Sequence, residues 1–354
     1  MLFYRYTIRA KLYFVSILFF ITCLFFAFIF IKEIYNNYYQ SNLIANLSKI
    51  SVSANKLVHE LQKERGFSAG YLASNKKIFA NELIEQRKKV NTHINEFKDK
   101  LSINDPTIKE FLKSINFNFY LKSLYPLREN VDKLSITSKD AIDNYTHIIK
   151  NLIEVNWLVA DKSNLDNEIR ELSHVLFYLT KIKENTGQLR ANINRILTID
   201  SIDFIGHFNV SKLYHENNLL QEQYYHYANT ELKEKYDLII NDDNSKKTRD
   251  IIEFNIKNLY KQKIGISPKY WFEVVTKYID ELAELENEIG DIIISTSKVL
   301  SDNSKSTLLL VSIVTSLWLI IVLAINYYLV RKISSNIMLV TQKLKEIAKG
   351  EINI

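Results

Sequence analysis

Cysteine is almost missing from this chain. Among 354 residues there is one, Cys23, so no internal disulfide can form and no cysteine-based zinc or haem site can be assembled. Proline (3) and glycine (7) are nearly as scarce, which leaves little chemistry for tight turns and demands long helices. An excess of one charge is lacking too. The 46 Lys and Arg stand against 40 Asp and Glu, interspersed through the middle of the chain, so no basic tract points to nucleic acid. There is no GxSxG, no P-loop and no glycine-rich dinucleotide turn. Glu222 and His226 are one helical turn apart and His59 abuts Glu60, but the paired Glu-x-x-His motifs of a di-metal bundle site are absent. These absences predict no catalytic residues, no metal ligands, no cofactor and no enzymatic activity. The tryptophans read as core and interface anchors, with Trp318 inside an apolar run and Trp157 and Trp271 outside it.

What is present is hydrophobic residues in two blocks. Leu12 to Ile31 is unbroken and uncharged between Lys11 and Lys32, and roughly 20 such residues cross about 30 Å of hydrocarbon as a helix. It is too long for a signal peptide and no small-x-small cleavage site follows it. A second run, Ser306 to Val330, lies between Lys305 and Arg331 and contains Asn326, which one hydrogen bond can accommodate. Arg5, Arg9 and Lys11 precede the first run; Arg331, Lys332, Lys343, Lys345 and Lys349 follow the second. The positive-inside rule then puts 1–11 and 331–354 in the cytoplasm and 32–305 outside, with spans at 12–31 and 306–330. That is the layout of a transmembrane receptor.

Between the spans apolar residues recur every three or four positions, with no sustained alternation. Breaks fall at Ile103-Asn104-Asp105-Pro106, Tyr125-Pro126, Asn241–Ser245 and Gly265–Pro268. They predict an all-α domain of about eight helices in antiparallel bundles: Ala54–Ser74, Lys76–Leu101, Ile108–Tyr120, Leu127–Ala160, Leu165–Leu197, Ile202–Ile240, Thr248–Gln262 and Pro268–Leu300. In the last, Val275, Tyr278, Leu282, Leu285, Ile289, Ile292, Thr296 and Val299 make a heptad seam that leads into the second span.

Two arginines break the apolar stripes. Ala54, Leu57, Leu61, Ser68 and Leu72 share a helix face, and Arg65 falls in it beside Gly66, Ala69 and Gly70. Leu172, Leu179, Thr186, Ile193 and Leu197 share another, which contains Arg190 near Gly187. A guanidinium facing a bundle interior is costly unless something negative meets it. Two readings follow: Arg65 and Arg190 clamp one planar anion by bidentate hydrogen bonds, or Glu64 or Glu184 pairs with them and locks the bundle.

LVHELQKERGFSAGYLAS (57–74) with EQRKKVNTHI (85–94) resembles the start of the NIT domain, the nitrate- and nitrite-sensing family. KENTGQLRANINRIL (183–197) is similar to the family's second block, and SPKYWFEVVTKYIDELAELE (267–286) to its closing segment. The resemblance implies two four-helix bundles, and a small anion, nitrate or nitrite, held by one arginine from each of the first two blocks, Arg65 and Arg190. Arg87 matches a recurrent position as well. After the second span, RKISSNIMLVTQKLKEIAKGEINI resembles the first helix of a HAMP linker. Ile333, Ile337, Val340, Leu344 and Ile347 form the seam of a parallel bundle and Gly350 stands where that helix would end, although Asn336 replaces the customary proline. The sequence ends within this linker, so the expectation is a fragment or a truncated gene product. Together these resemblances imply a homodimeric chemoreceptor-type sensor of a bacterial inner membrane, with a periplasmic input domain and cytoplasmic signalling partners reached through an output domain. The same input on a histidine kinase or cyclic-dinucleotide enzyme is one alternative; a membrane-anchored interaction module without a small ligand is another.

Overall fold

In the computed structural model, residues 8–102, 105–114, 117–162 and 166–348 are described. Of the positions singled out from sequence, Arg5, Ile103, Asn104, Leu165, Lys349 and Gly350 lie outside them. The described residues form ten helices and no strand: α1 Ile8–Ala73, α2 Ala80–Lys100, α3 Pro106–Ser114, α4 Phe117–Asp132, α5 Ser138–Lys162, α6 Asn167–Ile199, α7 Phe204–Tyr227, α8 Thr230–Asn241, α9 Asp243–Lys257 and α10 Pro268–Ala348.

The long helices are longer than the periodicity suggested. No glycine or proline occurs between Lys32 and Arg65, so the first span and the helix expected from Ala54 are one element, α1. No glycine or proline occurs between Asp291 and Ala348 either, so the helix from Pro268, the second span and the linker helix are all α10. Other elements are shorter. The helix expected over Leu127–Ala160 is cut at residues 133–137, where Leu134 takes φ 54° and Thr137 starts α5 with a capping pair. The Thr137 hydroxyl accepts from Asp140 N at 3.1 Å and donates to the Asp140 carboxylate at 2.7 Å. The helix expected over Ile202–Ile240 is cut at Ala228-Asn229, and Asn229 caps α8 by accepting from Leu232 N at 2.9 Å. Pro126, expected as a break, sits inside α4. The loop expected at Asn241–Ser245 shrinks to Asp242, which caps α9. The break before Pro268 stands: Gly265 has φ 76°, a conformation glycine adopts without strain, and Pro268 opens α10.

Two units divide the chain, 42–299 and 1–41 with 300–354. The larger holds two apolar cores. Leu57, Leu61, Val90, Phe97, Leu124 and Ile149 represent the first, built by α1, α2, α4 and α5 with α3 added. Ile193, Val210, Ile252, Trp271 and Val275 represent the second, built by α6, α7, α9 and α10. Each is a four-helix core. Along α10 the heptad seam is buried from Val275 to Ile289 and then drifts. Ile293 and Ser297 are buried instead, and Val299 is 59% exposed, because a straight helix advances past a seven-residue repeat. Here α10 lies against α1 through small contacts, with the Ser48 and Ser297 hydroxyls 3.1 Å apart and Gly290 facing Val52.

The smaller unit contains the two apolar runs. Their side chains face outward, Phe28 at 65% and Leu310 at 62% exposure, which water would oppose and hydrocarbon favours. Both helices are long and apolar enough to cross a membrane. Asn326 meets its expected requirement by donating to the Ser16 carbonyl at 3.3 Å.

Candidate anion-binding site

Both stripe arginines are buried without residual exposure. They come from α1 and α6, which pack closely where Gly66 and Gly187 leave room. A Cβ on Gly187 would stand 2.8 Å from Arg65 Nη2, and one on Gly66 3.2 Å from Arg190 Nε. Each arginine therefore lies over the glycine of the other segment, and the charge of Arg65 is near enough to act on Arg190.

Their partners differ. Arg65 is forked onto Glu184, Nη1 to Oε1 at 2.5 Å and Nη2 to Oε2 at 3.2 Å, and donates to the Thr146 hydroxyl at 2.8 Å. Glu184 also accepts from Gln62 and Gln188, both at 2.8 Å. Arg190 has no carboxylate within 4 Å among the described residues. It donates to Thr276 Oγ1 at 3.0 Å and to the Gln62 carbonyl at 2.8 Å, and its guanidinium carbon sits 4.9 Å from the centre of the Phe272 ring. The Nε of each arginine is buried without a partner. Asp280 and Glu184 favour the charge of Arg190 only from beyond 4 Å, and a buried guanidinium with no carboxylate in contact is suited by its chemistry to receive an anion.

The surroundings reinforce that polarity. Lys63, Arg65, Lys183 and Arg190 stand against Asp280, Glu184 and Glu286, so four cations face three carboxylates. Burial, then the neighbouring Arg65, pulls Arg190 down to about 9. Burial, then Lys183, Lys63 and Arg190, holds the His59 imidazole well below its usual range. At neutral pH Arg190 is charged. A base whose folded pKa is depressed is relieved of its burial penalty as pH rises through that value. An anion needs the charged form, so affinity at this site should weaken steadily between pH 8 and pH 10; titrating an anion into the full chain at both values checks it.

Sequence periodicity missed the rest of the polar interior. Glu64 turns away from Arg65 and is forked by Arg128, both contacts 2.7 Å, with the Tyr145 hydroxyl donating at 2.6 Å. Arg128 lies four residues after Leu124 and three before Val131, so the same spacing test would have found it. Arg87 is spent on Asp132, two contacts of 2.9 Å, and stands 3.7 Å from Glu64. Lys183 and Glu286 form a third buried pair, and the Thr180 hydroxyl donates to Glu286 at 2.5 Å. From α10, Trp271 donates to the Arg190 carbonyl at 3.0 Å, while Phe272 stacks on Phe67 at 4.9 Å and packs beside Phe79 at 5.1 Å. Phe79 holds φ 67°, a strained conformation for an aromatic residue, under this cluster.

Comparison with known proteins bears on this arrangement. The family described as "Nitrate and nitrite sensing" (NIT) matches residues 56–294, a span that contains Arg65, Arg190, Phe272 and Thr276. The solved structure of the NasR transcription antiterminator superposes with a TM-score of 0.68 at 18% identity, covering 88% of this chain and 84% of that one, which shows a shared fold. No curated protein sequence matches. With that match covering more than half its length, the chain belongs to the NIT, nitrate and nitrite sensing, family.

Proposed function

We propose that the chain is a transmembrane receptor for nitrate or nitrite, which it holds between α1, α6 and α10 against Arg190 and Arg65. The observation that carries this reading is the buried, carboxylate-free guanidinium of Arg190 with its unpartnered Nε. A groove of about 460 Å³ reaches Thr146, Gln188 and Glu184 and is lined by three lysines, Lys150, Lys181 and Lys212, against Glu184 and Glu216, a net positive approach to the site. Glu184 is the internal counter-ion of Arg65, so an arriving oxyanion competes with it for one arginine while accepting from the unpartnered Nε of the other. Phe272 and Thr276 rest on Arg190, so re-seating that side chain bears on α10. The shift passes along α10 through 306–330 to 331–354, in proportion to the difference in anion affinity between the two arrangements.

The remaining assignments belong to this proposal. Residues 32–305 are periplasmic and both termini cytoplasmic, in a bacterial inner membrane, by the distribution of Lys and Arg. Residues 331–354 begin a HAMP linker of chemoreceptor type in a homodimer. Ile333, Val340, Leu344 and Ile347 are all more than 40% exposed in the single chain, a seam that partner helices would cover. The Arg65–Glu184 fork favours a second reading, an internal lock with no small ligand and another protein as partner. Calorimetric titration of the full chain in nanodiscs separates the two. Saturable one-site heat with nitrate or nitrite, and none with chloride or sulfate, is expected. No heat with either oxyanion would favour the lock.

A further inference from the structure

A partly open polar cavity lies in the second core, and neither arginine of the pair lines it. It measures about 130 Å³ and is bounded by α6, α7, α8, α9 and α10. An apolar cavity of about that size admits benzene, so four to six heavy atoms fit here. The lining is unlike the apolar core around it: Asn217, Thr248, Arg249, Tyr278, Thr186 and Gln221 all face it.

Two of these groups are left wanting. Thr248, 1% exposed, has no partner for its hydroxyl, whereas Thr186 and Thr198 return theirs to the carbonyl four residues back at 2.8 and 2.7 Å. Asn217, 8% exposed, donates to Thr186 at 3.1 Å and leaves its Oδ1 unpartnered. Buried polar atoms are seldom abandoned in this way, and a pair around one cavity points to an occupant. Arg249 is half-buried, donates to the Ile240 carbonyl at 2.9 Å, and makes no ion pair within 4 Å among the described residues. No carboxylate lines the space, and Asn218 at its rim is exposed, which provides a way in.

We infer that the second bundle contains a separate pocket for a small monocarboxylate bearing hydroxyl groups, its carboxylate on Arg249 and its body against Asn217 and Thr248. A lone cationic liner selects a single negative charge, and the absence of a lining acid disfavours an amino acid. The pocket is not the arginine pair but shares α6 with it. Thr186 lines the cavity, and Gly187, the next residue, lies under Arg65. Occupancy of one site can therefore bias the other.

Ligand-observed saturation-transfer NMR on the full chain in nanodiscs tests this, with glycolate and lactate as probes and acetamide as the uncharged control. Glycolate or lactate should receive saturation and acetamide should not, with nitrate failing to displace the carboxylate. Arg249→Gln should weaken carboxylate binding about tenfold or more. Thr248→Val, nearly isosteric, should weaken it by a smaller factor while nitrate binding, circular dichroism and melting temperature stay at parental values. No saturation of either carboxylate in the folded parent would overturn the proposal, leaving the cavity to water. So would binding that is undiminished in both variants. Because nitrate is titrated in parallel, failure of this pocket and failure of the arginine site are read separately.

Discussion

Arg190→Met should abolish nitrate binding and leave the melting temperature of the ligand-free chain close to that of the parent. The substitution removes the only guanidinium of the pair that lacks a carboxylate. It sacrifices hydrogen bonds to Thr276 and the Gln62 carbonyl, worth about 1–3 kcal/mol each as charge-assisted bonds. It also removes the cost of keeping an unpaired charge in a dry interior, which is of similar size and opposite sign. Packing on Phe272 survives because methionine is flexible and makes favourable contacts with aromatic rings. Loss of a charge-assisted fork to the ligand weakens binding by a hundredfold or more, about 3 kcal/mol. Thermal shift with and without nitrate checks both halves; a parental nitrate shift in Arg190→Met would refute the assignment.

Arg65→Met should behave in the opposite way, by destabilising the ligand-free chain by about 3–5 kcal/mol because it strands Glu184 as a buried, unpaired carboxylate. The double substitution Arg65→Met with Glu184→Met should recover most of that loss, since an apolar pair of similar volume is often as stable as a buried ion pair. Denaturant unfolding of the three variants measures the coupling. If Arg65→Met and Arg190→Met cost the same, the asymmetry between the two arginines is wrong.

That asymmetry also marks how far the sequence could be read. Three- and four-residue spacing placed Arg65 and Arg190 on buried faces, because helical periodicity fixes the direction of a side chain. It could not choose their partners. Glu64 is adjacent to Arg65, but a helix turns about 100° per residue, so the two point to different neighbours and Glu64 meets Arg128. Glu184 reaches Arg65 only because α6 crosses α1 at Gly187. Lys183 and Glu286 were indistinguishable from solvated surface charges until α6 and α10 were packed together. The scarcity of glycine and proline made the long helices legible, yet the cuts before α5 and α8 depend on Thr137 and Asn229, whose capping contacts resemble ordinary helical polar residues in a sequence.

A structure of the full chain at saturating nitrate tests the central claim most directly. A planar three-oxygen anion within hydrogen-bonding distance of Arg190 Nε, with the Arg65–Glu184 fork opened or lengthened, is the predicted outcome. Nitrate bound elsewhere, with Arg190 still facing only Thr276, Gln62 and Phe272, would contradict it.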